Sequence, residues 1–211
     1  MRPVLLPIAL AALTLASCGG QRQLVPGGVY LKRSGCPQLA IPGATGDITL
    51  FNPANSVAAS AIDVSATITN LRANCTQDAQ YVVSTATFDV VAIRRDAGQA
   101  RQVVLPFYSA AVQGGAAIAA KRVGSVALDF AAGSYRAQGR AQTTVRVARS
   151  AVTLPADIVR DLTRERKPGD ANAAIDPLSD PRIREAVARA TFEHLVGFQV
   201  TEAQLRYNAT R

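Results

Sequence analysis

Three cysteines, one histidine and a row of arginines carry the most specific chemistry in this chain. Cys36 and Cys75 lack the Cys-x-x-Cys spacing that lowers a thiol pKa for redox catalysis, so the readings left for the pair are a bridge or two buried thiols. His194 is the single imidazole, and a Ser-His-acid or Cys-His engine would have to use it. No Gly-x-Ser-x-Gly elbow accompanies it. It stands among Phe192, Val196 and Phe198, a setting that suits a hydrogen-bonded core histidine. One imidazole also excludes any metal site that needs two.

Arg136, Arg140 and Arg146 stand at even separations, while Ala137, Ala141, Val145 and Val147 take the other parity. On a strand, the three guanidinium groups therefore share one face. Guanidinium forks fit carboxylate and phosphate, so this face is a candidate anion-binding surface. If the chain is exported to a bacterial envelope, as its N-terminus implies below, suitable anions are lipid head groups including lipopolysaccharide, peptidoglycan carboxylates or an acidic protein patch. The competing reading is a solvated face, because long charged side chains on an outer strand also serve solubility and edge protection. The formal charge of +8 is concentrated here: residues 101–152 hold seven basic side chains and one acid, whereas 153–211 hold nine of each.

Weaker signals carry less. Asp170, Asn172 and Asp176 have the look of a calcium loop without its glycine and closing glutamate. Asn74-Cys75-Thr76 matches a glycosylation sequon by chance. No phosphate-binding loop, dinucleotide fingerprint or haem motif is present. A glycosidase pair could hide among fifteen acids, and spacing does not exclude it. The expectation is a binding protein rather than an enzyme, with no metal and no cofactor.

The N-terminus opens Met1-Arg2-Pro3 and runs apolar from residue 4 to 15, the plan of a secretory signal. That run is too short to span a bilayer, which needs ~20 apolar residues. It ends Leu15-Ala16-Ser17-Cys18-Gly19, which resembles the lipobox of bacterial lipoprotein precursors. The resemblance implies diacylglyceryl transfer to the Cys18 thiol, cleavage before it and acylation of the new amine. One acyl chain binds membranes marginally at ~0.8 kcal/mol per buried methylene, and three hold for good. With Gly19 rather than Asp after the cysteine, the resemblance favours the periplasmic face of the outer membrane. The competing reading is an ordinary secretory signal with a chance cysteine. Export would place Cys36 and Cys75 in an oxidising compartment as an even pair, and would make nucleic acid an improbable partner.

The elements that must position these groups are mostly strands. Ile62, Val64, Ala66 and Ile68 alternate with Asp63, Ser65, Thr67 and Thr69. Residues 81–93 form a second long pattern, with Val82, Ala86, Phe88, Val90 and Ala92 on one face. Val103, Leu105 and Phe107 alternate next, and Pro106 puts that segment at an edge or bulge. Gly114-Gly115 separates two apolar runs, 108–112 and 116–120, as a two-residue hairpin turn does. Strands at 126–130 and from 135 to about 147, with short ones at 39–41 and 48–51, complete a set of seven or eight. Pro155 opens a helix that Lys167-Pro168-Gly169 stops; Asp180 caps another beginning at Pro181. Residues 191–200 read as a closing strand, with a continued helix as competitor. Thr201 and Gln204 have capping-box spacing for one final helical turn.

The mature chain also resembles a group of alphaproteobacterial envelope lipoproteins without an assigned activity, through Gly35-Cys36-Pro37, residues 62–70, Gly197-Phe198-Gln199-Val200-Thr201 and Gln204-Leu205-Arg206-Tyr207-Asn208. The expected architecture is mainly β, an immunoglobulin-like antiparallel β-sandwich with a small C-terminal helical part. Residues 1–17 are the signal peptide, 18–28 the lipidated tether and 29–211 one periplasmic domain. The expected role is a structural or accessory component of the outer membrane, with an envelope protein as partner. The alternative is a module for an anionic glycan or lipid head group.

Overall fold

Period-two patterning becomes eight strands. The computed structural model describes residues 34–164, 169–171 and 174–210; the leader, Cys18, the tether, Lys167-Pro168 and Asn172 lie outside the described residues. The strands are β1 (Gln38–Ala40), β2 (Asp47–Phe51), β3 (Ile62–Gln77), β4 (Tyr81–Arg94), β5 (Arg101–Gln113), β6 (Ala117–Phe130), β7 (Arg136–Ala148) and β8 (Phe192–Phe198). They form two four-stranded sheets, ordered β1-β8-β5-β6 and β2-β3-β4-β7. All pairings are antiparallel except β1 with β8, which is parallel. The architecture is the expected β-sandwich. β2, β3 and β4 lie side by side in chain order, whereas β7 pairs beside β4 and β8 inserts between β1 and β5, so the chain crosses between the sheets.

Val64, Ala66 and Ile68 of β3, Phe88, Val90 and Ala92 of β4, Leu105 and Phe107 of β5, and Val126, Leu128 and Phe130 of β6 fill the space between the sheets. Phe88 and Phe107 meet edge-to-face across it at 5.1 Å. Each of the larger of these side chains contributes about 2 kcal/mol on burial. At one flank β6 and β7 approach so closely that a Cβ on Gly139 would lie 2.8 Å from the Ala127 carbonyl oxygen. Glycine alone permits that contact.

Two stretches differ from the sequence expectation. Residues 103–112 are one strand, and Pro106 sits inside it. Pairing with β8 begins at Phe107, and the Pro106 carbonyl accepts from Gln199 N–H beyond the ladder's end. The missing N–H therefore faces a gap in the pairing, which is how an interior strand tolerates proline. The runs at 116–120 and 126–130 are likewise one strand. Gly114 and Gly115 form the turn before it, with φ of 61° and 75°, and Ala116 N–H donates to the Gln113 carbonyl. This is the type I′ geometry that matches strand twist.

The helical part comprises α1 (Arg149–Val152), α2 (Ala156–Thr163), α3 (Pro181–Arg189) and α4 (Glu202–Thr210). Asp180 caps α3 by accepting from Arg182 N–H, and Pro181 occupies its first turn. Ile158 of α2 with Ile183 and Ala186 of α3 form a small separate core. Thr201 and Gln204 make the reciprocal capping box, at 2.9 and 3.2 Å. The helix it starts runs nine residues rather than one turn. Tertiary contacts extend it: Tyr207 packs edge-to-face on Phe51, and Asn208 Nδ2 donates to the Ala44 and Asp47 carbonyls. No helix among the described residues is long and apolar enough to cross a membrane.

Candidate functional site

Strand β7 presents its arginines as its parity requires. Ala137, Val145 and Val147 are buried, while Arg136, Arg140 and Arg146 lie on the exposed outer face of the second sheet. At ~3.3 Å per residue, Arg136 and Arg146 are about 33 Å apart, too far for one small anion to bridge. The middle guanidinium already has a partner. Arg140 stands opposite Asp89 on β4, and its Nε donates to Asp89 Oδ1 at 2.8 Å. Asp89 Oδ2 accepts from Asn70 Nδ2 at 2.9 Å, and Asn70 Oδ1 accepts from Arg72 Nε at 2.8 Å. Asn70 has φ of 52°, at the bulge where β3 shifts register against β4. Asparagine tolerates that left-handed conformation, and the bulge aims its amide at Asp89. The hydrogen bonds from Arg140, then Asn70, hold the Asp89 carboxyl below its ordinary range.

At the far end of β7, Asp78 is held below the ordinary carboxylate range chiefly by the N–H groups of Tyr81 and Gln80, with the charges of Arg146 and Arg149 adding to the effect. The row is thus a face of separate positive points, its centre neutralised by Asp89. Sequence parity places the arginines correctly; the cross-strand register that sets Asp89 against Arg140 is not visible in it.

His194 points between the sheets and is fully buried. Its Nδ1 lies 3.0 Å from Ser84 Oγ on β4, and its Nε2 2.9 Å from Ser109 Oγ on β5. A neutral imidazole has one donor and one acceptor, so one hydroxyl donates to the ring and the other accepts from it. Burial pushes its pKa down to about 4. Both serines are buried as well, at 0% and 1% exposure, so neither hydroxyl can reach a substrate. The arrangement is a polar clamp between sheets.

Cys36 and Cys75 are joined, with Cα atoms 6.1 Å apart. The bridge ties the segment entering β1 to the far end of β3.

One open depression, about 490 Å³, lies on the helical part and is lined by Asp161, Arg164, Asp170, Asp176, Asp180 and Ile183, among others. Its acids have structural work. Asp161 pairs with Arg182 and Arg164, Asp176 accepts from Leu178 N–H, and Asp180 caps α3. Among the described residues, no three His, Cys, Asp or Glu side chains are placed to share a metal ion.

Arg94 is a buried polar group that no sequence motif marks. It is 2% exposed, on the inward parity of Val90 and Ala92 at the end of β4. Its guanidinium donates to the carbonyls of Ser134, Gln99, Gly98 and Ala131 and lies 5.2 Å from the Phe130 ring centroid. An arginine continuing an apolar parity was the available signal. Arg94 closes one end of the sandwich by holding two loops.

Comparison with family models, with curated proteins and with solved structures finds no match.

Proposed function

We propose that this is a lipid-anchored envelope protein that acts by binding, as a structural or accessory component on the periplasmic face of the outer membrane. The observation that carries the reading is the division of the cysteines. The structure joins Cys36 to Cys75, which leaves Cys18 as the one thiol outside the bridge, at the end of an apolar leader and inside Leu15-Ala16-Ser17-Cys18. A disulfide suits an exported domain. The polar groups buried between the sheets, Ser84, Ser109 and His194, are mutually satisfied, which fits a rigid body better than a reaction centre. Replacing Cys18 by Ala should move the protein from the membrane fraction to the soluble periplasm; a Cys18→Ala protein still sedimenting with membranes contradicts the anchor.

The exposure of Arg136 and Arg146 supports a second reading, binding of an anionic glycan or lipid head group. Such binding should weaken steeply with salt and vanish in the Arg136→Gln, Arg146→Gln double variant. Binding indifferent to both removes it.

A further inference from the structure

The sandwich has four sheet edges, and three are short, covered or charged. β1 is only three residues long. β2 is covered by α4, whose Gln204 and Asn208 side-chain amides donate to the Thr49 and Asp47 carbonyls. β7 abuts β6 at Gly139 and carries arginine at three positions along its outer face. The fourth edge is the N-terminal half of β6. Every residue from 117 to 123 is exposed, including Ile118 at 66% and Val123 at 61%. The stretch Ala116-Ala117-Ile118-Ala119-Ala120 holds no charge and no proline, and its one irregularity is the register shift that leaves Ala119 unpaired between Ile118, opposite Val112, and Ala120, opposite Ala111. Beyond that shift only Lys121 and Arg122 guard the edge. They project to opposite faces: Lys121 lies 5.2 Å from the Tyr108 ring centroid on the outer side, and Arg122 shares the parity of buried Val126 and Leu128. Neither has a carboxylate partner among the described residues.

We infer that residues 117–123 of β6 are a strand-addition site for an extended, acidic segment of a partner protein. An added strand would gain main-chain hydrogen bonds along the edge, with specificity from the side chains that alternate beside it. The register shift sets Ile118 opposite Val112, on the outer face with Lys121 opposite Ala110 and Val123 opposite Tyr108, so a complementary strand carries a carboxylate between apolar residues. The same cations reject the other occupants. A second copy would bring its own Lys121 and Arg122 to the interface, from a segment of 52 residues with one acid. Like charges at close quarters are costly, so the pair that guards the edge also selects an acidic strand. The inference deepens the binding reading but does not depend on the lipid anchor; a Cys18 protein that is not acylated leaves it intact, and a silent edge leaves the anchor intact.

The test is hydrogen–deuterium exchange on the full chain in detergent, with two probes: a capped nine-residue peptide alternating threonine and valine around a central glutamate pair, and the same peptide with lysines. At a free glutamate-peptide concentration of about four times its Kd, exchange across 117–123 should slow about fivefold, since the free edge falls to a fifth. The lysine peptide should give no protection. In the Lys121→Glu, Arg122→Glu variant, whose changes are both exposed, the preference should invert. Equal protection by both peptides, protection elsewhere, or none overturns the inference. So does a dimer that already protects 117–123 without peptide, or protection by an anionic polysaccharide equal to that by the glutamate peptide.

Discussion

Ser84 Oγ on one sheet lies 3.0 Å from His194 Nδ1 on the other, and both atoms are sealed from solvent. The consequence is a pH dependence of defined sign. The folded pKa is about 4, against 6.5 for a free histidine. Between those values the unfolded chain binds the extra proton, so stability is full above pH 6.5 and falls as pH drops towards 4, by about 3 kcal/mol in all. Because the chain has one histidine, this window is clean. The lowered carboxyls of Asp78, Asp89 and Asp161 act only below it. Denaturant unfolding at pH 7.5 and 4.5 should show the loss, and His194→Asn should be less stable at pH 7.5 yet nearly flat across the window.

Arg94 supplies the largest single-residue expectation. Arg94→Met keeps an unbranched apolar stem but removes the guanidinium that bonds four carbonyls and lies over Phe130. Losing several hydrogen bonds from one charged donor costs about 3 kcal/mol. Thermal melting should fall accordingly, and exchange should rise in residues 95–100 and 131–135 first. Unchanged exchange in those loops would show that Arg94 does not hold them.

The Cys36–Cys75 bridge spans 39 residues. On the chain-entropy model such a loop is worth roughly 4 kcal/mol. The Cys36→Ser, Cys75→Ser double variant should lose about that much at equilibrium, and adding a reductant to the native protein should reproduce the loss. A reductant without effect would mean that the cross-link contributes nothing to the domain's stability.

Gly139→Ala tests the contact between the sheets' edges. Its Cβ would meet backbone oxygen of Ala127 at 2.8 Å, which no side-chain adjustment relieves. A loss of about 1–3 kcal/mol is expected, as for overpacking elsewhere. Stability unchanged in this variant would mean that β6 and β7 part without cost.

Much of this fold was legible in the sequence because most strands bury one face. Val64, Ala66 and Ile68 declare β3, and Val126, Leu128 and Phe130 declare half of β6, by the same alternation. It failed where burial is not one-sided. Residues 109–112 of β5 are buried on both faces, and 117–123 of β6 are exposed on both, so neither stretch alternates and both strands were read as broken. Pro106 strengthened the error, since nothing local says that β8 stops beside it. The histidine's apolar neighbours foretold its burial. The Ser84 and Ser109 hydroxyls that hold it come from strands 110 and 85 residues away, and only the packed sheets bring them together. Parity alone places the arginine row; its neutral centre depends on a β3 bulge and a cross-strand register that no local pattern encodes.

Intact mass of the N-terminal peptide from membrane-purified protein reads the proposed lipid on Cys18 itself. The peptide should begin at Cys18 and carry a diacylglyceryl thioether and an amide-linked acyl chain. A peptide with a free Cys18 thiol, or one beginning elsewhere, would contradict the proposed anchor.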